Sequence, residues 1–200
     1  MKSIYIYGAS GHGLVVADIA EICGYSDIIL IDDGENNYLS FNDIKDNSHI
    51  PIAFGIGSNS IREKLYKKVK SYGFKVETLI HKSAVVAKSA TIEKGTVIMA
   101  GVIVNPYAKV GNCAILNSAS VIEHENIIED FVHISPKVAL AGDVKIGKST
   151  HIGIGSSVIQ GVNIGKNCIV GAGSVVIRDI SSRSVAYGNP CKVIRKIDER

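Results

Sequence analysis

One histidine in this chain stands between two carboxylates, in the stretch Ser118-Ala-Ser-Val-Ile-Glu-His-Glu125. Such a residue, His124, can act as a general base near neutral pH, because an acid on one ring nitrogen raises the basicity of the other and fixes the tautomer. Glu123 and Glu125 are both candidates for that acid. No serine or cysteine stands beside His124 in a nucleophile arrangement, which argues for direct transfer rather than a covalent intermediate. A solvated surface corner is the competing reading. Asn126, a polar residue in the same turn that breaks the pattern described below, tips the balance toward chemistry.

A second constellation is Gly8-Ala-Ser-Gly-His-Gly13, between an apolar run and a helical pattern. Glycines there let the backbone approach a ligand, and a helix N-terminus favours phosphate oxygens. The order G-x-x-G-x-G departs from the dinucleotide fingerprint, and the segment 1–79 is too short for both mononucleotide halves. A nucleotide or nucleotide-sugar pocket is therefore expected. Asp32 and Asp33, closing the second apolar run, are placed to bond a ribose or sugar hydroxyl. A tight turn and a solvated strand end form the plainer alternative.

The elements that must hold these residues are of two kinds. From Ile80 to Val176 an aliphatic residue recurs at every sixth position without a miss, and four places after it stands a mostly small or β-branched residue, with Asn126 the clear exception. Period six suits a coil of three short flat sides with one inward aliphatic per side, and some five coils make a prism roughly 25 Å tall. Glycine or asparagine often follows the aliphatic, as at Gly111, Asn117, Gly147, Gly153, Gly165 and Gly171, where a tight corner would need positive φ. His133 and His151, 18 residues apart, should stack on one side and line a cleft.

Residues 1–79 read instead as alternating strand and helix. Strands are expected at Ser3–Tyr7, Asp27–Asp33 and Pro51–Ile56. Helices are expected at Leu14–Cys23 and Ser60–Tyr72, the second with its basic face in solvent and Gly73 at its end. The fold expected is an α/β half-Rossmann domain, 1–79, followed by a parallel β-helix of hexapeptide repeats, 80–200.

The repeat resembles that of the hexapeptide acyltransferases, which implies a left-handed coil. Together with Tyr-Ile-Tyr-Gly-Ala-Ser-Gly-His-Gly13, Ile31-Asp-Asp33 and the Glu-His-Glu triplet, the chain looks like the bacterial UDP-4-amino-sugar N-acetyltransferases of bacillosamine-type glycan pathways, and is similar to the related sialic acid O-acetyltransferases. That resemblance implies acetyl-CoA as donor, His124 as base, Glu125 as the residue that increases its basicity, and His133 as a contact to the thioester region. It implies Ser10, Gly11, His12, Asp32 and Asp33 in a UDP-sugar pocket, and Gly142, Ile154 and Ala172 along the pantetheine channel, Ala172 standing where the family has glycine. Gly188-Asn-Pro-Cys-Lys192 resembles the family's tail, with Cys191 in place of alanine, and Lys192, Arg195 and Lys196 are candidates for coenzyme phosphates. The family's assembly implies a homotrimer with active sites between prisms. Zinc, used by carbonic anhydrases on the same prism, is not expected, since no histidines stand five apart here. O-acetylation of sialic acid or a related nonulosonate, and a non-catalytic nucleotide-sugar-binding scaffold, are the alternatives.

Composition sets the bounds. Hydrophobic residues make up 46% of the 200, enough for a core, and a net charge of +3 with scattered basic residues does not point to nucleic acid. Four widely spaced cysteines suggest reduced thiols. The N-terminus carries no signal-peptide pattern, and no apolar run reaches the ~20 residues of a membrane span. A cytoplasmic protein without membrane insertion is expected.

Overall fold

The computed structural model describes residues 2–197, so Met1 and residues 198–200, the outer ends of the two expected domains, lie outside the described residues. The N-terminal sheet is parallel, with β1 (Ser3–Tyr7) between β2 (Asp27–Ile31) and β3 (Ile52–Phe54). Connections run through α1 (Gly11–Ile22) and the short α2 (Phe41–Ile44), and α3 (Asn59–Ser71) follows β3. Burial on both faces explains the near-continuous aliphatic runs of β1 and β3.

Several boundaries differ from the sequence expectation, α3 by one residue at each end. β2 and β3 are shorter than read, and α1 starts at Gly11 rather than Leu14, so Gly11-His12-Gly13 form its first turn. The reason is close packing. A Cβ on Gly13 would lie 1.8 Å from Gly8 O, and one on Gly55 2.5 Å from Gly13 Cα. Two loop glycines and a third after β3 thus let the helix begin directly against the strand ends. Gly11, with nothing within 4 Å of such a Cβ, has no packing role.

From Leu79–Ile80 to Val175–Val176, two-residue strands recur every six residues and stack in parallel on the strands 18 residues away, as His133 does on His151 and Leu116 on Ile134. The result is a left-handed β-helix whose three faces stack eight, six and five strands. The eight include a terminal antiparallel hairpin, Ser184–Gly188 with Cys191–Lys196. This is nearly six coils, one more than the spacing suggests. The second residue of each central strand is buried inside, as Ile98, Val110, Ile122 and Ile152 are. On the first face the outward residues Leu79, Val97 and Ile115 are buried too, because they join Ile4, Val16, Ile19 and Ala53 in one apolar core. On the second face the outward residues Val85, Ile103, Val121, Ala139, Ser157 and Val175 carry no charge, and Val85, Ile103, Ala139 and Ser157 are exposed.

The glycine rationale is corrected by the backbone. Positive φ falls three places after the aliphatic, at Tyr107, Cys113, Ala119, Glu125 and Phe131 among others, not at Gly111, Gly147, Gly153, Gly165 or Gly171. Those glycines are needed because a Cβ would collide with the next coil: on Gly147 it would lie 2.6 Å from Gly165 C, and on Gly153 2.6 Å from Ala172 N.

The basic face of α3 is also corrected at one position. Arg62 is 1% exposed. Its Nε donates to Cys113 O at 2.8 Å, Nη1 to Ile56 O and Gly57 O at 2.9 and 3.2 Å, and Nη2 to Asn59 Oδ1 and Phe131 O at 2.8 and 2.9 Å. Carbonyl dipoles from three segments replace the water that this cation loses, so it stays charged even though burial lowers its pKa to about 10. No helix among the described residues is long and apolar enough to cross a membrane.

Candidate active site

His124 sits on the corner between the second and third faces, two residues past the buried Ile122. The left-handed turn at Glu125, φ 62°, swings that side chain back so that its Oε2 lies 3.0 Å from His124 Nδ1. Of the two flanking acids it is Glu125 that meets the ring within one chain. The pair is open to solvent, the His124 side chain being 58% exposed. Below it the next coil makes its own corner, Ala141-Gly142-Asp143-Val144. A Cβ on Gly142 would lie 2.5 Å from His124 Cε1 and 2.6 Å from Nε2, so the ring occupies space that glycine alone leaves free. In that corner Asp143 N–H donates to His124 O at 3.0 Å and Val144 N–H to Asn126 Oδ1 at 2.6 Å. Gly142 N–H takes no partner among the described residues. An imidazole with a carboxylate on one nitrogen therefore stands beside a backbone donor, parts that an acyl transfer could use.

At the other candidate pocket the acids are already engaged. Asp32 accepts from Ala9 N at 3.0 Å and from Gly34 N at 2.8 Å, which holds its carboxyl below the usual range and ties the glycine loop to the end of β2. Asp33 accepts from Tyr7 Oη at 2.5 Å, Phe41 N at 2.8 Å and Lys68 Nζ at 3.0 Å, locking β1, α2 and α3 together. Burial and this carboxylate push the Tyr7 phenol far up. Ser10 and Gly11 are exposed at the start of α1. His12 lies deeper, and its Nε2 is buried without a partner among the described residues. Burial, reinforced by Arg62, lowers its pKa to about 4.

His133 and His151 do stack, with ring centroids 4.7 Å apart, and His12 stands 6.1 Å from His133, so three imidazoles form a file between the domains. The tautomer of His133 follows from its neighbours. Asn117 Oδ1 accepts from Ser118 N at 2.8 Å, which turns Nδ2 toward His133 Nε2 as donor at 3.2 Å, so Nδ1–H is left to donate to Gly57 O at 3.2 Å. The residue is 8% exposed. Burial first, then His151 and Arg62, drive its pKa down to about 3. Burial and Arg62 also lower His151, whose Nε2 meets Ser135 Oγ at 2.8 Å. His133 can thus orient a group but does not exchange protons near neutrality.

Ile154, 53% exposed, and Ala172 stack on the edge between the first and second faces, across the second face from the His124 and Gly142 edge. Lys192 and Arg195 are exposed on the hairpin, while Lys196 Nζ is drawn to Ser181 Oγ at 2.6 Å. The structure therefore brings His124, Glu125 and Gly142 together, and separately sets His12, in the first turn of α1 with Ser10 and Gly11 before it, beside His133; Asp32 meets the glycine loop at Ala9, while Asp33 is turned to Tyr7, Phe41 and Lys68. The buried role of Arg62, the contact of Asn117 with His133 and the second glycine loop, Gly55–Gly57, escaped the sequence reading. The Gly-x-Gly-Ser pattern after the third strand was the signal available for the loop.

Comparison with known proteins gives matches at both domains. A family model described as the PglD N-terminal domain matches residues 3–69, and one described as bacterial transferase hexapeptide (six repeats) matches residues 143–178. The acetyltransferase domain of PglB from Neisseria gonorrhoeae FA1090 superposes with a TM-score of 0.91 at 33% identity, over 97% of this chain and 100% of that one. A variant of GDP-perosamine N-acetyl transferase from Caulobacter crescentus, in complex with CoA and GDP-perosamine, does so with a TM-score of 0.93 at 32% identity, over 97% of each chain. A Staphylococcus aureus (strain Mu50 / ATCC 700699) relative named as an acetyltransferase is 48% identical over 69 residues, 34% of this chain. The match spans about a third, 35%, of that curated relative's length.

Proposed function

The chain belongs to the PglD-like family of hexapeptide-repeat sugar acetyltransferases, and on that premise we propose that it moves the acetyl group of acetyl-CoA onto the 4-amino group of a UDP-4-amino-4,6-dideoxy sugar. The observation that carries the reading is the His124–Glu125 pair poised over Gly142 with its free N–H. Glu125 holds Nδ1–H, so Nε2 carries the lone pair and accepts the proton that the acceptor amine loses as it attacks the thioester carbonyl. Gly142 N–H supports the oxygen as charge builds there. Coenzyme A leaves as the thiol, and the amide is formed in one ternary complex.

The uncharged second face, with small Ala139 and Ser157 between the Gly142 edge and the Ile154 and Ala172 edge, suits an extended pantetheine chain. Ser10, Gly11 and His12, at the free start of α1, suit the diphosphate and sugar. Asp32 and Asp33 serve that pocket as acceptors for a ribose or sugar hydroxyl, Asp32 Oδ2 and Asp33 Oδ1 each having one donor and one lone pair left. Within one chain the glycine loop borders the first face and His124 the opposite corner, so the complete site is assembled between copies, as a homotrimer in the cytoplasm. His133 enters as a neutral contact beside the donor.

The test is coenzyme release measured with a thiol-reactive dye, acetyl-CoA, and a panel of UDP- and GDP-linked 4-amino sugars and free sialic acids. Release with a UDP-4-amino sugar alone is expected. Release with sialic acid alone, or with none of them, would overturn the reading. The Caulobacter structure holds a GDP-linked amino sugar, which is why both nucleotides belong in the panel.

A further inference from the structure

Two glycine loops meet at the ends of β1 and β3. A Cβ on Gly8 would lie 2.6 Å from Ile56 Cδ1 and 2.7 Å from Gly55 O, and one on Gly55 would lie 2.5 Å from Gly13 Cα and 2.7 Å from Gly8 O. The loop that carries Ser10, Gly11 and His12 is therefore shaped by Gly55-Ile56-Gly57, and in so close a packing a shift of the second loop displaces the first. The second loop has little of its own to hold it. Its first N–H, on Gly55, bonds Tyr7 O at 2.8 Å, and both glycines lack side chains that could pack.

Arg62, in the first turn of α3, supplies the hold. Nη1 is given wholly to this loop, to Ile56 O and Gly57 O, whereas Nε and Nη2 reach Cys113 O and Phe131 O on successive coils of the prism. Gly57 O also accepts from His133 Nδ1 at 3.2 Å, so the guanidinium and the imidazole share one carbonyl. A joint between α3 and the prism needs only Nε and Nη2. Serving the loop as well takes the planar fork of arginine, which lysine lacks. We propose that Arg62 is a positioning residue for the nucleotide-sugar pocket: its Nη1 fixes the carbonyls of the second glycine loop, and that loop in turn fixes the glycine loop at the start of α1. The inference rests on the reading of Ser10, Gly11 and His12 given above. At 1% exposure Arg62 touches no ligand itself, so its loss falls on nucleotide affinity and spares the coenzyme, which that reading places on the second face.

The experiment titrates UDP and, separately, coenzyme A into wild type, Arg62→Lys, Arg62→Gln and Asn59→Ala by calorimetry, with melting temperatures on the same samples. Arg62→Lys keeps the charge, so a loss there reports geometry. Asn59→Ala removes the bonds from α3 to Ser149 O and Thr150 O, at 3.0 and 3.2 Å, and leaves those from Arg62 to the loop, so it controls for a loosened joint. Both Arg62 variants are expected to bind UDP at least about tenfold more weakly and coenzyme A within about twofold of wild type, while Asn59→Ala melts lower yet binds UDP within about twofold. UDP affinity within about threefold of wild type in either Arg62 variant, equal losses for UDP and coenzyme A, or an equal UDP loss in Asn59→Ala would overturn the proposal. Failure of both Arg62 variants to fold would overturn it too, leaving Arg62 a joint alone. A wild type that binds no UDP would instead overturn the placing of the nucleotide, and this inference with it.

Discussion

Two histidine stations divide this molecule. His133, with His151 and His12, is buried between the domains, both its ring nitrogens engaged by Asn117 and Gly57 and its pKa pressed to about 3. His124 lies on an open corner with one nitrogen given to Glu125 and the other unclaimed among the described residues. Under the proposed function the same side chain is a neutral joint in one place and a proton acceptor in the other. What separates them is not residue type but how many of the two nitrogens the fold has already used.

The joint can be broken from beneath. Arg62→Met keeps much of the side-chain volume but leaves the carbonyls of Cys113, Ile56, Gly57 and Phe131 without their donor, and an expected loss of roughly 3 to 5 kcal/mol would be read by urea unfolding. On the open corner Gly142→Ala places a methyl inside the His124 ring, and about a hundredfold loss of kcat with little change in melting temperature is expected.

Acid tests the joint again. The folded pKa values of His12 and His133, about 4 and about 3, lie below the unfolded value, so the unfolded chain takes up the protons first. Stability is complete above about pH 6.5 and falls as the pH drops from there toward 4 and then 3, by up to about 1.4 kcal/mol per pH unit for each such histidine. A melting temperature flat from pH 7 to 5 would contradict the neutral joint. The smallest effect belongs to Glu125→Gln, which keeps a partner on Nδ1 but removes its charge: roughly fivefold in kcat, checked by steady-state kinetics.

The prism was legible in the sequence because its geometry repeats locally: one inward aliphatic every six residues fixes each side, and Ile80 to Val176 never miss. Position within the corner was not legible. A glycine that avoids the next coil and a glycine that supplies positive φ look the same in one dimension, and only stacking separates Gly147 from Gly155. His124 and Glu125 could be found because they are neighbours in the chain. Arg62 could not, since its partners Cys113 and Phe131 lie 51 and 69 residues away and a basic residue on an amphipathic helix points by default to solvent. Asp33 hid its partners in the same way: an acid at a strand end reads as a ligand contact, and nothing in the chain order announces Tyr7, Phe41 and Lys68, the last 35 residues away.

The contrast between the two stations is tested most directly by removing each ring and supplying imidazole. In His124→Ala, coenzyme release is expected to fall by two to four orders of magnitude with the melting temperature unchanged, and to recover in part with added imidazole because the corner is open. In His133→Ala the melting temperature should drop and imidazole should restore no turnover. Near wild-type release from His124→Ala without imidazole would contradict the account.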